Sequence, residues 1–133
     1  MNRAQRPPIQ SPCEVAAREV MPSIRASIAY ILTTEMKLSK YEAAKLLGIT
    51  PAAISNYIER KRGGKFIDEI LGNPENLNRV REAASLVLLA RYDQKAMASF
   101  QRLTCMICSS INEVARAYGC HFLGFPPENG LKR

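Results

Sequence analysis

The residue types best suited to chemistry are four cysteines, Cys13, Cys105, Cys108 and Cys120. Cys105 and Cys108 stand three apart, so on a helix both thiols share a face, one turn from each other, where two thiolates can hold one metal ion or cluster. That face is turned about 110° from the stripe of Phe100, Ile107 and Val114. Cys120 follows Gly119 and is able to fold back beside the pair. Cys13 sits in the first turn of its own helix, where partial positive charge favours thiolate. A single Cys-x-x-Cys does not specify zinc, whose structural sites commonly use two such pairs on turns. The set therefore points first to an iron-sulfur cluster, with zinc or no metal as alternatives, and His121, the single histidine, is the spare ligand. Two other readings compete: core filling, since free cysteine is among the most buried residue types, and a disulfide between two of the four. A thiol redox enzyme would place Cys105 and Cys108 in a strand-helix-strand setting, which is absent. With one histidine in a breaker-rich tail and no glycine-rich phosphate loop, an enzyme is not expected.

A second group of residues is suited to recognition. From Lys40 to Glu59, small Ala43 and Ala44 stand where two helices can touch, Leu47 and Ile49 lie beneath, Gly48 marks a turn, and Ile54 and Tyr57 face inward. A small residue at Ala44 lets a second helix cross closely, and glycine tolerates a left-handed turn. Ser39 can cap the first helix with Glu42 three residues on, and Thr50 can cap the second with Pro51 behind it. Between Leu38 and Phe66 the chain carries Lys40, Lys45, Arg60, Lys61, Arg62 and Lys65 against Glu42 and Glu59, which is four of the seven net positive charges. Such a concentration matches the phosphates of nucleic acid, and equally a solvated basic face.

The stretch from Leu38 to Gly63 resembles the Cro/repressor-type (XRE-like) helix-turn-helix family. It is similar to the small archaeal regulators of that family and to the DNA-binding segment fused to some archaeal thiamine-biosynthesis enzymes. The likeness begins at Cys13-Glu14 and includes Cys105-x-x-Cys108. What it implies is a second helix in the major groove of double-stranded DNA, with Thr50, Ala52, Ala53, Ser55 and Asn56 on or near its outward face and Pro51 offering apolar contact beside them. Many relatives carry glutamine where this chain has Pro51, so base reading shifts to Ser55 and Asn56. The Asn56 amide can both donate and accept at an adenine edge, while Thr50 and Ala52 reach a thymine methyl or a phosphate. Lys40, Arg60, Lys61 and Arg62 are assigned to phosphates. Such modules act as two-fold dimers on paired half-sites, with the helices from Pro74 onward supplying the homodimer contact. The competing reading is an α-helical protein-interaction adaptor, an αα-hairpin with structural cysteines and no role on DNA.

These residues must be positioned by helices. Ser11, Pro12 and Glu14 open one that runs towards Met36, interrupted at Pro22, with Ile24, Ile28, Ile31 and Leu32 as its core stripe. A short helix over Lys65 to Leu71 ends at Gly72-Asn73-Pro74. The next, from Pro74 to Tyr92, carries Leu77, Val80, Ala84, Val87 and Leu88. Asp93 caps a last helix on which Phe100, Ile107, Ile111, Val114 and Tyr118 align before Gly119 closes it. No alternating strand pattern occurs, so the expected class is all-α: a repressor-like helix-turn-helix bundle with additional C-terminal helices. Residues 1–10 read as a flexible arm, 11–72 as the helix-turn-helix domain, and 73–133 as a dimerising, cysteine-bearing region. A polar, Pro-rich start and the lack of a long apolar run lead to the expectation of a cytoplasmic protein with no membrane partner.

Overall fold

The computed structural model describes residues 11–59, 64–113 and 116, and every regular element among them is helical. In order these are α1 (Pro12–Val15), a π-helical turn (Ala16–Val20), α2 (Met21–Thr34), α3 (Lys40–Leu47), α4 (Pro51–Ile58), α5 (Gly64–Gly72), α6 (Pro74–Ala90) and α7 (Gln94–Ile111). The expected interruption at Pro22 takes the form of that π-helical turn. Proline cannot donate to the carbonyl four residues back, and a wider turn just before it lets the chain continue without a break.

Helix α2 organises the rest. Its predicted stripe of Ile24, Ile28, Ile31 and Leu32 is buried, and so are Ser23, Ala26, Ser27 and Ala29. A helix covered on nearly every side belongs inside its fold, and α2 touches α3, α4, α5, α6 and α7. Burial of each large apolar side chain contributes about 1.5–3 kcal/mol. The buried serines need partners: Ser27 donates to the Ser23 carbonyl at 2.9 Å and Ser23 to the Glu19 carbonyl at 3.4 Å. Ile67 and Ile70 of α5, Val80, Ala83 and Ala84 of α6, and Ile107 and Ile111 of α7 join α2 in one buried cluster.

Helices α6 and α7 pack along each other after a tight connection. Asn73 caps α6 by accepting from the Asn76 N–H at 3.0 Å, with Pro74 behind it, and Asp93 caps α7 by accepting from the Lys95 N–H at 2.9 Å. Buried Asn76 donates through Nδ2 to Ser110 Oγ at 2.9 Å and accepts from Arg79 at 2.9 Å, which clamps the register of the two helices. Among the described residues no helix is long and apolar enough to cross a membrane.

Two expectations are corrected. Leu88 is 38 % exposed, because the buried face of α6 centres on Val80, Ala83, Ala84 and Val87, about 80° round the helix from it. The last helix does not run on to Tyr118: α7 ends at Ile111, and Asn112 leaves helical geometry at φ −81° and ψ 112°. Serine and asparagine compete for the backbone here. Ser110 donates to the Ile107 carbonyl at 2.7 Å, and the Asn112 carbonyl accepts from the Arg116 N–H at 2.9 Å, opening a fresh helical turn. Val114, Tyr118 and Gly119 lie outside the described residues.

The chain turns from α2 into α3 across Lys37, which holds a left-handed φ of 63° while the Leu38 N–H reaches back to the Leu32 carbonyl at 2.9 Å. Arg81 grips Glu35 in the same loop through two bonds of 3.0 and 2.9 Å. Glycine relieves the left-handed strain at an exposed position. Lys37→Gly is expected to raise stability by about 0.5–1 kcal/mol, read as a higher urea midpoint at unchanged slope.

Candidate nucleic-acid interface

Helices α3 and α4 are eight residues each and are joined by Gly48, Ile49 and Thr50. Helices this short have little stability alone, so local bonds at their ends matter. At the start of α3 the Glu42 N–H donates to Ser39 Oγ at 3.0 Å, and the Ser39 N–H donates to Glu42 Oε1 at 3.0 Å, the reciprocal box expected from their spacing. Gly48 ends α3 in the left-handed region, φ 70° and ψ 32°, and the Ile49 N–H then bonds to the Ala44 carbonyl at 3.0 Å. Thr50 accepts from the Ala53 N–H at 3.1 Å, with Pro51 in the first turn. Ala43, Ala44, Ala53, Ile54 and Tyr57 are buried, and Leu47 and Ile49 pack against the same core. Each inward position expected from the sequence faces in.

The outward positions form one surface. At about 100° per residue, Pro51, Ala52, Ser55 and Asn56 occupy an arc of roughly 140° on α4, opposite Ala53, Ile54 and Tyr57. Thr50, Pro51 and Ala52 are exposed, while Ser55 and Asn56 are half-buried. Ala53, expected on or near this outward face, is instead buried in the core, because it sits one residue before Ile54 and shares its inward side. Lys40 joins the outward residues from α3, donating through Nζ to Ser55 Oγ at 3.1 Å. Thus Lys40 is tied to a residue fifteen positions away in the chain, and of the nine predicted contact residues five lie on this pair of helices and Thr50 lies in the turn between them. Arg60, Lys61 and Arg62 lie outside the described residues. Sequence reasoning did not single out Tyr41, 73 % exposed on α3, and counted Lys45, exposed one turn further on, only within the basic stretch and not as a contact. Their shared distance from the Ala43 and Ala44 face was the available signal.

The cysteines lie on other elements. Cys13, Cys105 and Cys108 carry no disulfide. Cys13 is exposed on α1, and Cys105 and Cys108 are half-buried one turn apart on α7. Although the pair lies off the apolar stripe in sequence, Cys108 packs against the core and accepts from Asn112 Nδ2 at 3.6 Å. Ser109, one turn on from Cys105, has a buried hydroxyl with no hydrogen-bond partner among the described residues. The π-helical turn that follows α1 touches α7. Among the described residues no three cysteine, histidine or acidic side chains gather as a metal site. Cys120 and His121 lie outside them. The described chain therefore offers a two-thiol pair, which fits half of a four-thiolate site.

No protein-family model, curated protein or solved structure matches the chain.

The capping box titrates. The Glu42 carboxylate is held below its ordinary range first by the Ser39 backbone N–H and then by the Ser39 hydroxyl. Such a depressed group adds stability that is complete above its ordinary value and is lost as pH falls through the lowered one. The stability difference between the native chain and Glu42→Gln is therefore expected to shrink below about pH 4, followed by urea unfolding across that range. At the turn, a Cβ on Gly48 would meet nothing within 4 Å, so only the backbone opposes it. Gly48→Ala is expected to destabilise by about 1–2 kcal/mol, read from the same midpoints.

Proposed function

We propose that this chain is a sequence-selective DNA-binding transcriptional regulator, with α4 as the reading helix and α3 braced above it. One observation carries the reading: α4 is capped, rigid and buried on one side, while Pro51, Ala52, Ser55 and Asn56 line the other with Lys40 bonded among them. A helix docked by its N-terminal residues reads base edges in the major groove. Asn56 pairs with an adenine edge, Pro51 and Ala52 give apolar contact to a thymine methyl, and Lys40 leaves Ser55 for a phosphate. Thr50, Arg60, Lys61 and Arg62 supply further backbone contacts. The resemblance of Leu38 to Gly63 to the Cro/repressor-type helix-turn-helix family supports the same roles.

A regulator of this kind works as a homodimer on paired half-sites. Leu88, Leu89, Tyr92 and Met97 are exposed where α6 passes into α7, and this apolar corner is the surface a second copy would cover. We also propose that Cys105 and Cys108, with Cys13 and Cys120, hold an iron-sulfur cluster. Support comes from the one-turn spacing of the α7 thiols and from the contact between α7 and the turn leading out of α1. A bound cluster would supply an oxidisable centre.

With Lys40, Arg60, Lys61 and Arg62 on phosphates in both protomers, fragment-selective binding is expected to weaken by roughly ten-thousandfold between about 50 and about 200 mM salt. Asn56→Ala is expected to lose about 1–3 kcal/mol per half-site on the selected fragment and nothing on bulk DNA, whereas Lys40→Ala weakens all fragments alike and lowers the salt slope of the dimer by about 2, one for each protomer. Fluorescence anisotropy with genomic fragments measures both. A folded protein that binds no DNA would leave the adaptor reading in its place. Anaerobic purification with iron and sulfide assays tests the cluster: stoichiometric iron and sulfide are expected, and zinc or a metal-free protein overturns it.

A further inference from the structure

A cavity of about 180 Å³ opens between α2, α3, α6 and α7. Its walls are mostly apolar, formed by Ile24 and Ile28 of α2, Leu46 and Leu47 of α3, and Phe100 of α7. Cavities of about 150 Å³ with leucine, isoleucine and phenylalanine walls accept a benzene-sized guest. The body of a ligand here is therefore a single aromatic ring or a short branched chain.

Two arginines set the head group. Arg25 and Arg91 both line the cavity. Arg25 is half-buried on α2, and among the described residues its guanidinium makes neither an ion pair nor a hydrogen bond. A partly buried guanidinium is ordinarily matched by an acid, and its planar fork suits a carboxylate. Arg91 is exposed at the end of α6, its guanidinium 5.7 Å from the Tyr92 ring centre, and reinforces the positive sign.

We propose that this cavity binds a small monocarboxylic acid with an aromatic or branched apolar body, its carboxylate held by Arg25 and Arg91. Because Leu46 and Leu47 belong to α3, a bound acid adds contacts between α3 and the α2–α7 frame. Occupancy then alters DNA affinity, a consequence that rests on the reading of α3 and α4 as the DNA-reading pair. Binding itself does not.

The test is calorimetric titration of the full chain, without DNA, with benzoate, benzyl alcohol, benzylamine and acetate. Saturable one-to-one binding of benzoate is expected, about tenfold or more tighter than any of the other three. Arg25→Gln and Arg91→Gln are each expected to weaken it, Arg25→Gln by about tenfold or more, with circular dichroism unchanged. Ala90→Leu, which narrows the cavity, abolishes it. Absence of saturable benzoate binding, or benzyl alcohol binding as tightly as benzoate, overturns the site. Benzoate binding that leaves DNA affinity unchanged overturns the coupling alone, and loss of DNA binding altogether leaves the calorimetric result standing.

Discussion

The burial of α2 on nearly all its faces is the constraint on which the rest of the fold depends. A central helix needs side chains large enough to fill the core and small enough to let neighbours approach, and α2 alternates the two: Ile24, Ile28, Ile31 and Leu32 against Ser23, Ala26, Ser27 and Ala29. The small polar members are tolerated because their hydroxyls turn back onto carbonyls of their own helix. An unpaired hydroxyl in that position would cost about 1–3 kcal/mol. The helix pair that carries the outward surface rests on α2, as do the later helices, so the geometry of that surface is set from inside.

Around this axis, a few polar contacts select one arrangement among many that would bury similar apolar area. Asn76, bonded to Ser110 and Arg79, fixes how α6 lies along α7. The Arg81 fork on Glu35 holds the loop that feeds α3, and it lowers the Glu35 carboxyl and raises the Arg81 guanidinium. Both groups are well exposed, so the pair contributes less to stability than to register.

Much of this architecture was legible because it is local. Capping residues write helix starts directly, and Ser39, Thr50 and Asp93 each cap as their types and positions imply, while Asn73, read only as part of a breaker, caps α6 as well. The inward residues of α3 and α4 followed from their residue types along the segment, whereas the outward set on α4 came from a resemblance to known helix-turn-helix segments and included Ala53, which the core covers. What escaped was set by tertiary contact. The hydrogen bond from Lys40 to Ser55 depends on the angle between two helices, which no spacing encodes. The end of α7 was misplaced because Val114 and Tyr118 continue a helical period past Ile111, while side-chain bonding around Asn112 outweighs the period. The apolar pattern of α6 placed Leu88 inside for a similar reason, since a stripe read from sequence is wider than the face a neighbour covers. The cavity beside Arg25 left no trace, because walls drawn from four helices have no shared spacing.

The brevity of α3 and α4 has a bearing on inheritance. At two turns apiece, neither helix would persist in water, and their inward residues find cover only on a frame assembled from chain both before and after them. The outward surface of the pair is thus not a portable cassette that recombination could cut out and graft elsewhere. A change in its chemistry has to arise by exchange of side chains on the outward arc of α4, with the scaffold passed on whole.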